Sequence, residues 1–412
     1  MKSPSLPLDS SRVRALFPAF QEDGLKGQAF FENAGGSYTS RHVLERLEHY
    51  YRATKVQPYG AYPASIEAGE AMDLAYERIA SILEVSADWI HIGPSTSANT
   101  YVLAHAFAQQ LGDSDAIIVT NQDHEANSGV WRRLARHGVE VREWKIDPET
   151  GHLNPADLDN LLDEKVRLVA FPHCSNIVGE INPAEKICNL IRAAGALSIV
   201  DGVSYAPHGF PDLGEINPDI YMFSAYKTYG PHLGIMAIRP ELAASLPNQG
   251  HHFNDDKPRY RLTPSGPDHA QIAALAGIAD YLEEVANIAE PAIKGNSPFR
   301  RAHNATRAQE TTLMAPLLDW IGAKSNIRLI GPPTPQNRVP TISLALDLPG
   351  LEVARELAQH NIMAGGGHFY SQRTLEALGL APEHGVLRLS FVHYTSRQEI
   401  DTLLQAMSRV LV

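Results

Sequence analysis

Ser224-Ala225-Tyr226-Lys227-Thr228-Tyr229-Gly230-Pro231 stands between two apolar runs, Asp219-Ile220-Tyr221-Met222-Phe223 before it and Leu233-Gly234-Ile235-Met236-Ala237-Ile238 after it. Both runs read as buried strands, bounded by turn residues. Lys227 therefore sits at a turn between two strands, flanked by hydroxyls and closed by Gly-Pro. A lysine in that position is a solvated loop residue, or it is held by a counter-charge or neutral. A further option is covalent occupation by an aldehyde cofactor, which removes the cost of an isolated ammonium.

Working outward, Leu197-Ser198-Ile199-Val200-Asp201-Gly202 is a short apolar strand ending in a carboxylate, 26 residues before Lys227. Strand carboxyl ends are where open α/β sheets place ligand-binding groups. An aspartate and a lysine on neighbouring strand ends can serve the two ends of pyridoxal phosphate. The carboxylate holds a proton on the ring nitrogen, and the amine holds the aldehyde.

The rest of the chain supplies the frame. Strands are expected at Trp89-Ile90-His91-Ile92-Gly93, Ala116-Ile117-Ile118-Val119-Thr120, Val139-Glu140-Val141 and Leu168-Val169-Ala170-Phe171. Helices are expected over residues 40–51, 68–83, 130–136, 184–194 and 270–286. Strand and helix alternate over residues 86–240, the pattern of a mostly parallel sheet covered by helices. Ser95 and Thr96 follow a strand and open a helix. Hydroxyls there cap the helix, and they are also how a helix N-terminus holds a phosphate. His124 stands at another strand end. No dinucleotide fingerprint follows a strand, and Gly365-Gly366-Gly367 lacks its spacing. His251 and His252 are adjacent instead of spaced along a helix face, so no metal is expected. From about residue 292 onward, helices and strands alternate differently and read as a second, α+β domain.

Bulk properties narrow the function. The 412 residues carry a net charge of −12, which disfavours nucleic acid or an anionic membrane as partner. No apolar run approaches the ~20 residues that span a bilayer, and the N-terminus has no signal core. Cys174 and Cys188 are the only cysteines, so no disulfide framework is implied. These features together predict a soluble cytoplasmic protein.

Five separated motifs then fall in an order that resembles the class V aminotransferases, and among them the cysteine desulfurase-like branch. These are Asp123-His124-Glu125-Ala126-Asn127, His173-Cys174-Ser175-Asn176, Asp201-Gly202, Phe223 to Pro231 around Lys227, and Leu387-Arg388-Leu389-Ser390. The resemblance runs from Phe30 to the last helix. It implies pyridoxal phosphate fold type I, an α/β fold with a large domain on a mostly parallel seven-stranded sheet and a smaller C-terminal domain. The expected divisions are a segment 1–28 packing with the small domain, a cofactor domain 29–291 and a small domain 292–412. The resemblance also implies roles. The His124 ring stacks on the cofactor, Asn176 bonds its phenolic oxygen, and Asp201 pairs with its ring nitrogen. Lys227 carries it, Ser95, Thr96 and Ser224 take its phosphate, and Arg388 grips a substrate carboxylate.

Four departures from the family pattern are visible. Where desulfurases carry a nucleophilic cysteine, this chain reads Met363-Ala364-Gly365-Gly366-Gly367-His368-Phe369-Tyr370. Ser204 stands for the usual glutamine beside the cofactor oxygen, and Tyr226 for the usual histidine at a phosphate contact. Ser265-Gly266-Pro267 stands for a Gly-Thr-Pro turn that reaches the partner's phosphate. The expected function is a pyridoxal phosphate enzyme acting on an amino acid, as a homodimer. It is read as a C–S or β-eliminating lyase without a persulfide cysteine, with His368 as candidate acid. An aminotransferase, an epimerase like isopenicillin N epimerase, and a non-catalytic cofactor-binding protein are the alternatives.

Overall fold

The computed structural model describes residues 6–264 and 266–411. Seven strands form the central sheet: Ile90–Gly93, Ala116–Thr120, Glu140–Trp144, Val166–Pro172, Leu197–Asp201, Ile220–Ser224 and Gly234–Ile238. Counted along the chain, they lie side by side in the order first, seventh, sixth, fifth, fourth, second, third. The second to sixth strands run parallel. Only Gly234–Ile238 runs against its neighbours, Ile90–Gly93 and Ile220–Ser224. Residues 116–120, 220–224 and 234–238 are buried at every position. This is why they read as continuous apolar runs instead of alternating ones. Parallel order also forces each chain crossover over a face, and these crossovers are the covering helices.

The expected helix over 130–136 starts earlier. An α-helix spans Glu125–Arg132 and continues as a 3-10 turn over Arg133–His137. His124 is its N-cap and lies on the edge of the sheet's carboxyl end.

A second, four-stranded sheet contains Gly365–Gly367, Val386–Ser390, Thr341–Ala345 and Arg328–Leu329, in that spatial order and antiparallel throughout. Its apolar face packs with Leu313, Leu317 and Ile321 of the helix Pro298–Gly322 and with Leu403 and Met407 of the helix Arg397–Val410. The first half of Pro298–Gly322 buries Phe299, Ala302 and Ala305 in the core beneath the large sheet. One helix thus spans both cores.

The N-terminal segment does not pack on the C-terminal layers alone. Leu8, Val13, Leu16 and Phe17 belong to the large core. The Phe17 ring meets Tyr281 and Tyr394 edge-on at 5.1 and 4.8 Å, while Arg14 reaches Glu399 at 2.7 Å. The segment fills the seam because its apolar face has partners on both sides. Ala29–Phe30, expected in the large unit, pairs in parallel with Ile362–Met363 instead. That pairing carries Glu32 to Ser390 of the small sheet.

Candidate functional site

Lys227 closes a single 3-10 turn, Ala225–Lys227, directly after Ile220–Ser224. The turn is held from several sides. Thr228 Oγ1 and the Gly230 N–H both donate to the Ala225 carbonyl, at 3.0 Å each. The Tyr229 hydroxyl donates to the Pro207 carbonyl at 2.5 Å. A Cβ on Gly230 would lie 2.7 Å from Ile278 Cδ1, so only glycine lets the loop sit this close. Lys227 is 8% exposed, and its Nζ makes no hydrogen bond or ion pair among the described residues. Burial, with Arg388 adding to it, lowers its pKa to about 8, against opposing pulls from Asp201 and Glu32. A buried amine without a partner, partly neutral at physiological pH, suits covalent capture.

Asp201 ends the neighbouring parallel strand. Its Oδ1 accepts the Val203 N–H at 2.8 Å, and burial raises its pKa to about 6 while the Lys227 charge pulls it back. Asp123, also buried, bonds Thr120 Oγ1 and Asn127 Nδ2 at 2.8 and 3.1 Å. Burial and then the Asp201 charge push it well above the carboxylate range.

His124 accepts the Ala126 N–H on Nδ1 at 3.1 Å, which leaves its proton on Nε2. Burial, then Lys227 and Arg388, hold its pKa down at about 3. The ring is a neutral plane at working pH, as a stacking group beside a cationic amine must be.

At the other end of the lysine turn, hydroxyls converge. Thr96 Oγ1 and Ser224 Oγ are 2.8 Å apart. Ser95 caps the helix Thr96–Ala108, accepting the Ala98 N–H at 3.1 Å. Capping and phosphate binding are therefore not exclusive here: Ser95 caps, while Thr96, Ser224 and the helix N-terminus are what a phosphate would meet. A Cβ on Gly234 would lie 2.2 Å from the Ser95 carbonyl carbon, so glycine lets this turn rest on the sheet. The Tyr226 ring stacks on His232 with centroids 4.8 Å apart. Ser204 lies in the turn after Asp201, half-buried. Ser265 lies outside the described residues.

Arg388 enters from the small sheet, in register with Gly365 and Ser343, and is 3% exposed. Its Nη2 meets Glu32 Oε1 at 2.7 Å, Nη1 reaches the Asn176 carbonyl at 3.4 Å, and its plane lies 3.7 Å over the Phe369 ring. Arg388 Nε and Glu32 Oε2 are buried without partners. Burial lowers the arginine's pKa, and Glu32 resists that shift. The glycine triplet explains itself here. A Cβ on Gly365 would lie 2.1 Å from Glu32 Oε2, and one on Gly366 would lie 2.2 Å from the Gly350 carbonyl carbon.

The loop that follows closes over the site. Phe369 and Tyr370 both have left-handed backbones, at φ 47° and 59°. Such geometry is costly for bulky residues and persists only when the surroundings enforce it. Asn176 Nδ2 donates to the Phe369 carbonyl at 3.0 Å, Ser371 Oγ donates to Asn176 Oδ1 at 2.7 Å, and the Glu125 N–H donates to the Tyr370 carbonyl at 2.7 Å. The Tyr370 ring stands 5.3 Å from that of His124. His368 is not brought into this group. It is exposed, and its Nδ1 accepts the Tyr370 N–H at 3.2 Å. The tight turn half-buries Phe369 against Arg388 and leaves His368 and Tyr370 exposed, so His368 is not placed as an acid beside Lys227.

The structure therefore brings Lys227, Asp201, His124, Asn176, Arg388, Thr96, Ser224 and Tyr226 together around the lysine turn. It adds Glu32, Phe369 and Tyr370, which sequence reasoning did not assign. These residues fit pyridoxal phosphate: an unpartnered buried amine, a separate carboxylate at a strand end, a neutral ring, and hydroxyls at a helix N-terminus. Neither thiol lies on the loop 363–370. Cys174 and Cys188 are buried, and burial raises both pKa values, that of Cys188 to about 12.

Residues 29–289 and 300–403 match the profile of the family described as aminotransferase class-V. The chain is 34% identical over 422 residues to the aminotransferase-like protein FGM3 of Gibberella zeae, covering 100% of both chains. It is 27% identical to a cysteine desulfurase of Pectobacterium atrosepticum, covering 98% of each. Its fold is similar to that of the cysteine desulfurase of Thermococcus onnurineus NA1, with a TM-score of 0.84, 22% identity and 100% of each chain covered. No helix among the described residues is long and apolar enough to cross a membrane.

Proposed function

The chain belongs to the class-V aminotransferase family and is a pyridoxal-phosphate-dependent enzyme, and on that premise we propose that it is a β-eliminating lyase cleaving the C–S bond of an amino acid without a persulfide. The observation that carries this reading is the state of the thiols. A desulfurase thiolate must be mobile, accessible and deprotonated. Here both thiols are buried with raised pKa values, and the loop over the site, 363–370, contains no cysteine.

The bound cofactor supplies a sink for the electrons released at the substrate Cα. The chain's own residues do the rest. Asp201, ionised above about pH 6, holds a negative charge opposite the ring nitrogen. His124 presents a neutral face that limits tilt of the ring. Thr96, Ser224 and the helix N-terminus at Ser95 anchor the phosphate. Arg388 fixes the substrate through its carboxylate, and so fixes which Cα bond is held ready to break. Lys227 Nζ would be the base that accepts the Cα proton. The Cβ–S bond then breaks with its electron pair on sulfur. Lys227, now an ammonium, is the proton donor nearest the chemistry, a part that His368 does not fill. Cysteine and water would give pyruvate, ammonia and sulfide.

We take the working unit to be a homodimer. The exposed Leu44, Tyr51, Tyr59, Tyr62 and Ile66, on or between the helices Arg41–Ala53 and Pro63–Leu83, support an interface there.

A second reading, aminotransferase, is favoured by the relative at 34% identity, which is described as aminotransferase-like. The test is product analysis. The purified enzyme is expected to release pyruvate, ammonia and sulfide from cysteine, and pyruvate, ammonia and thiocysteine from cystine. Alanine with a protein-bound persulfide would overturn the lyase reading. Keto acid formed only when an amino acceptor is also present would establish the aminotransferase.

A further inference from the structure

We propose that Glu32 is a specificity-determining residue that restricts the site to amino acids carrying a single carboxylate. The inference rests on the reading that Arg388 grips a substrate carboxylate.

Glu32 is built into the site. Its Oε1 takes the Nη2 edge of Arg388 at 2.7 Å, and the guanidinium is almost wholly buried. Glycines stand on either side of the carboxylate. A Cβ on Gly35 would lie 3.0 Å from Oε1, and one on Gly365 would lie 2.1 Å from Oε2. A side chain at 365 would expel Glu32 from Arg388. Three parts of the chain thus converge to hold one negative charge on the substrate-binding arginine: the strand end at residue 32, the glycine strand and Val386–Ser390.

The charge count follows. Among the groups whose charges act on Lys227 are Arg388, Asp201 and Glu32. Lys227 is committed to the cofactor and Asp201 to its ring nitrogen. His124 is neutral. Arg373, on the helix after the loop, is exposed and already paired with Glu125 at 3.4 Å. Among the described residues, Arg388 is therefore the cation left for substrate, and it is half spent on Glu32. One substrate carboxylate shares the guanidinium with Glu32. A second would add a negative charge with no cation to meet it, a few ångströms from Glu32. Two like charges at such distances in a partly buried site repel enough to weaken binding on the order of tenfold to hundredfold.

The test uses non-reacting probes on the cofactor-loaded protein. Propionate and succinate binding are measured by calorimetric titration in the parent protein, E32Q and E32D. The parent is expected to bind propionate at least about tenfold more tightly than succinate. E32Q should tighten both and bring the two within about threefold, because Arg388 is released and the repelling charge removed. E32D keeps the charge and should keep the discrimination, which separates a charge effect from a disturbed fold. Equal affinities for the two probes in the parent, or unchanged affinities in E32Q, would overturn the proposal. Propionate binding that survives R388A would instead overturn the reading of Arg388 on which the proposal stands.

Discussion

Arg388→Ala is the substitution whose effect the structure fixes best. Arg388 is 3% exposed, so solvent does not screen what it does. A charge-assisted hydrogen bond contributes about 1.5–3 kcal/mol, and truncating one partner of a buried charge pair costs about 2–5 kcal/mol. The existing contact to Glu32 at 2.7 Å already uses Nη2, so the substrate gains less than a full isolated fork would give. About 3 kcal/mol is the working figure, or roughly a hundredfold weaker substrate binding. Part of that loss comes from Glu32, which is left without its cation and repels the incoming carboxylate. The double variant R388A/E32A should therefore recover part of the loss, a positive coupling that a double-mutant cycle reads directly. Arg388→Lys should recover little, because an ammonium lacks the planar fork and the close approach of the guanidinium carbon to the Phe369 ring, 3.7 Å from its centroid. The assay is absorbance titration of the holoenzyme with substrate, alongside a separate cofactor-binding measurement. Cofactor affinity should change little. Unchanged substrate binding in R388A, or a loss of cofactor as large as the loss of substrate, would refute the assignment.

Further outcomes follow from the buried titratable groups. Cys174→Ser and Cys188→Ser should leave turnover intact, read by steady-state rates with the substrate identified in the product screen; loss of turnover in either correctly folded variant would place a thiol in the mechanism. The rate at which stripped protein takes up pyridoxal phosphate should rise with pH through about 8, where the Lys227 amine becomes neutral; a rise centred near the ordinary lysine value of 10.5 would show that burial does not lower it. Stability should fall between about pH 6.5 and 4. His91, His124, His173, His303 and His393 have folded-state pKa values of about 3 to 4, so over this window the unfolded chain binds protons that the folded chain refuses. Each costs up to about 1.4 kcal/mol per pH unit, while Asp201, raised to about 6, works in the opposite sense between 3.8 and 6. A denaturation midpoint that holds or rises from pH 7 to pH 5 would contradict this sign.

The sheet was legible because a buried parallel strand has one signature, a run of five to seven apolar, often β-branched residues. Those runs also placed Asp201, His124 and Lys227 at the carboxyl edge, so the cofactor end of the pocket could be read locally. Other features depend on distant contacts. Glu32 and Arg388 are separated by 356 residues, and neither position announces the other. The helix at Glu125 was read as starting later because its cap is a histidine ring nitrogen, outside the Ser, Thr, Asp and Asn group that marks most helix starts. The triplet 365–367 could be recognised as unsuited to a dinucleotide. Its actual use, making room for Glu32 and for Gly350, is a matter of third-dimension sterics. The left-handed turn at Phe369 and Tyr370 runs against the preferences of both residues, so no local rule could place His368 outside the pocket.

Borohydride reduction of the purified holoenzyme, followed by peptide mapping, tests the central claim most directly. Reduction fixes the cofactor to whichever amine carries it. The expected result is a single label on the peptide containing Lys227, with Lys227→Ala binding little cofactor and taking no label. A label on any other lysine, or a protein that retains cofactor with nothing covalently attached, would contradict the account.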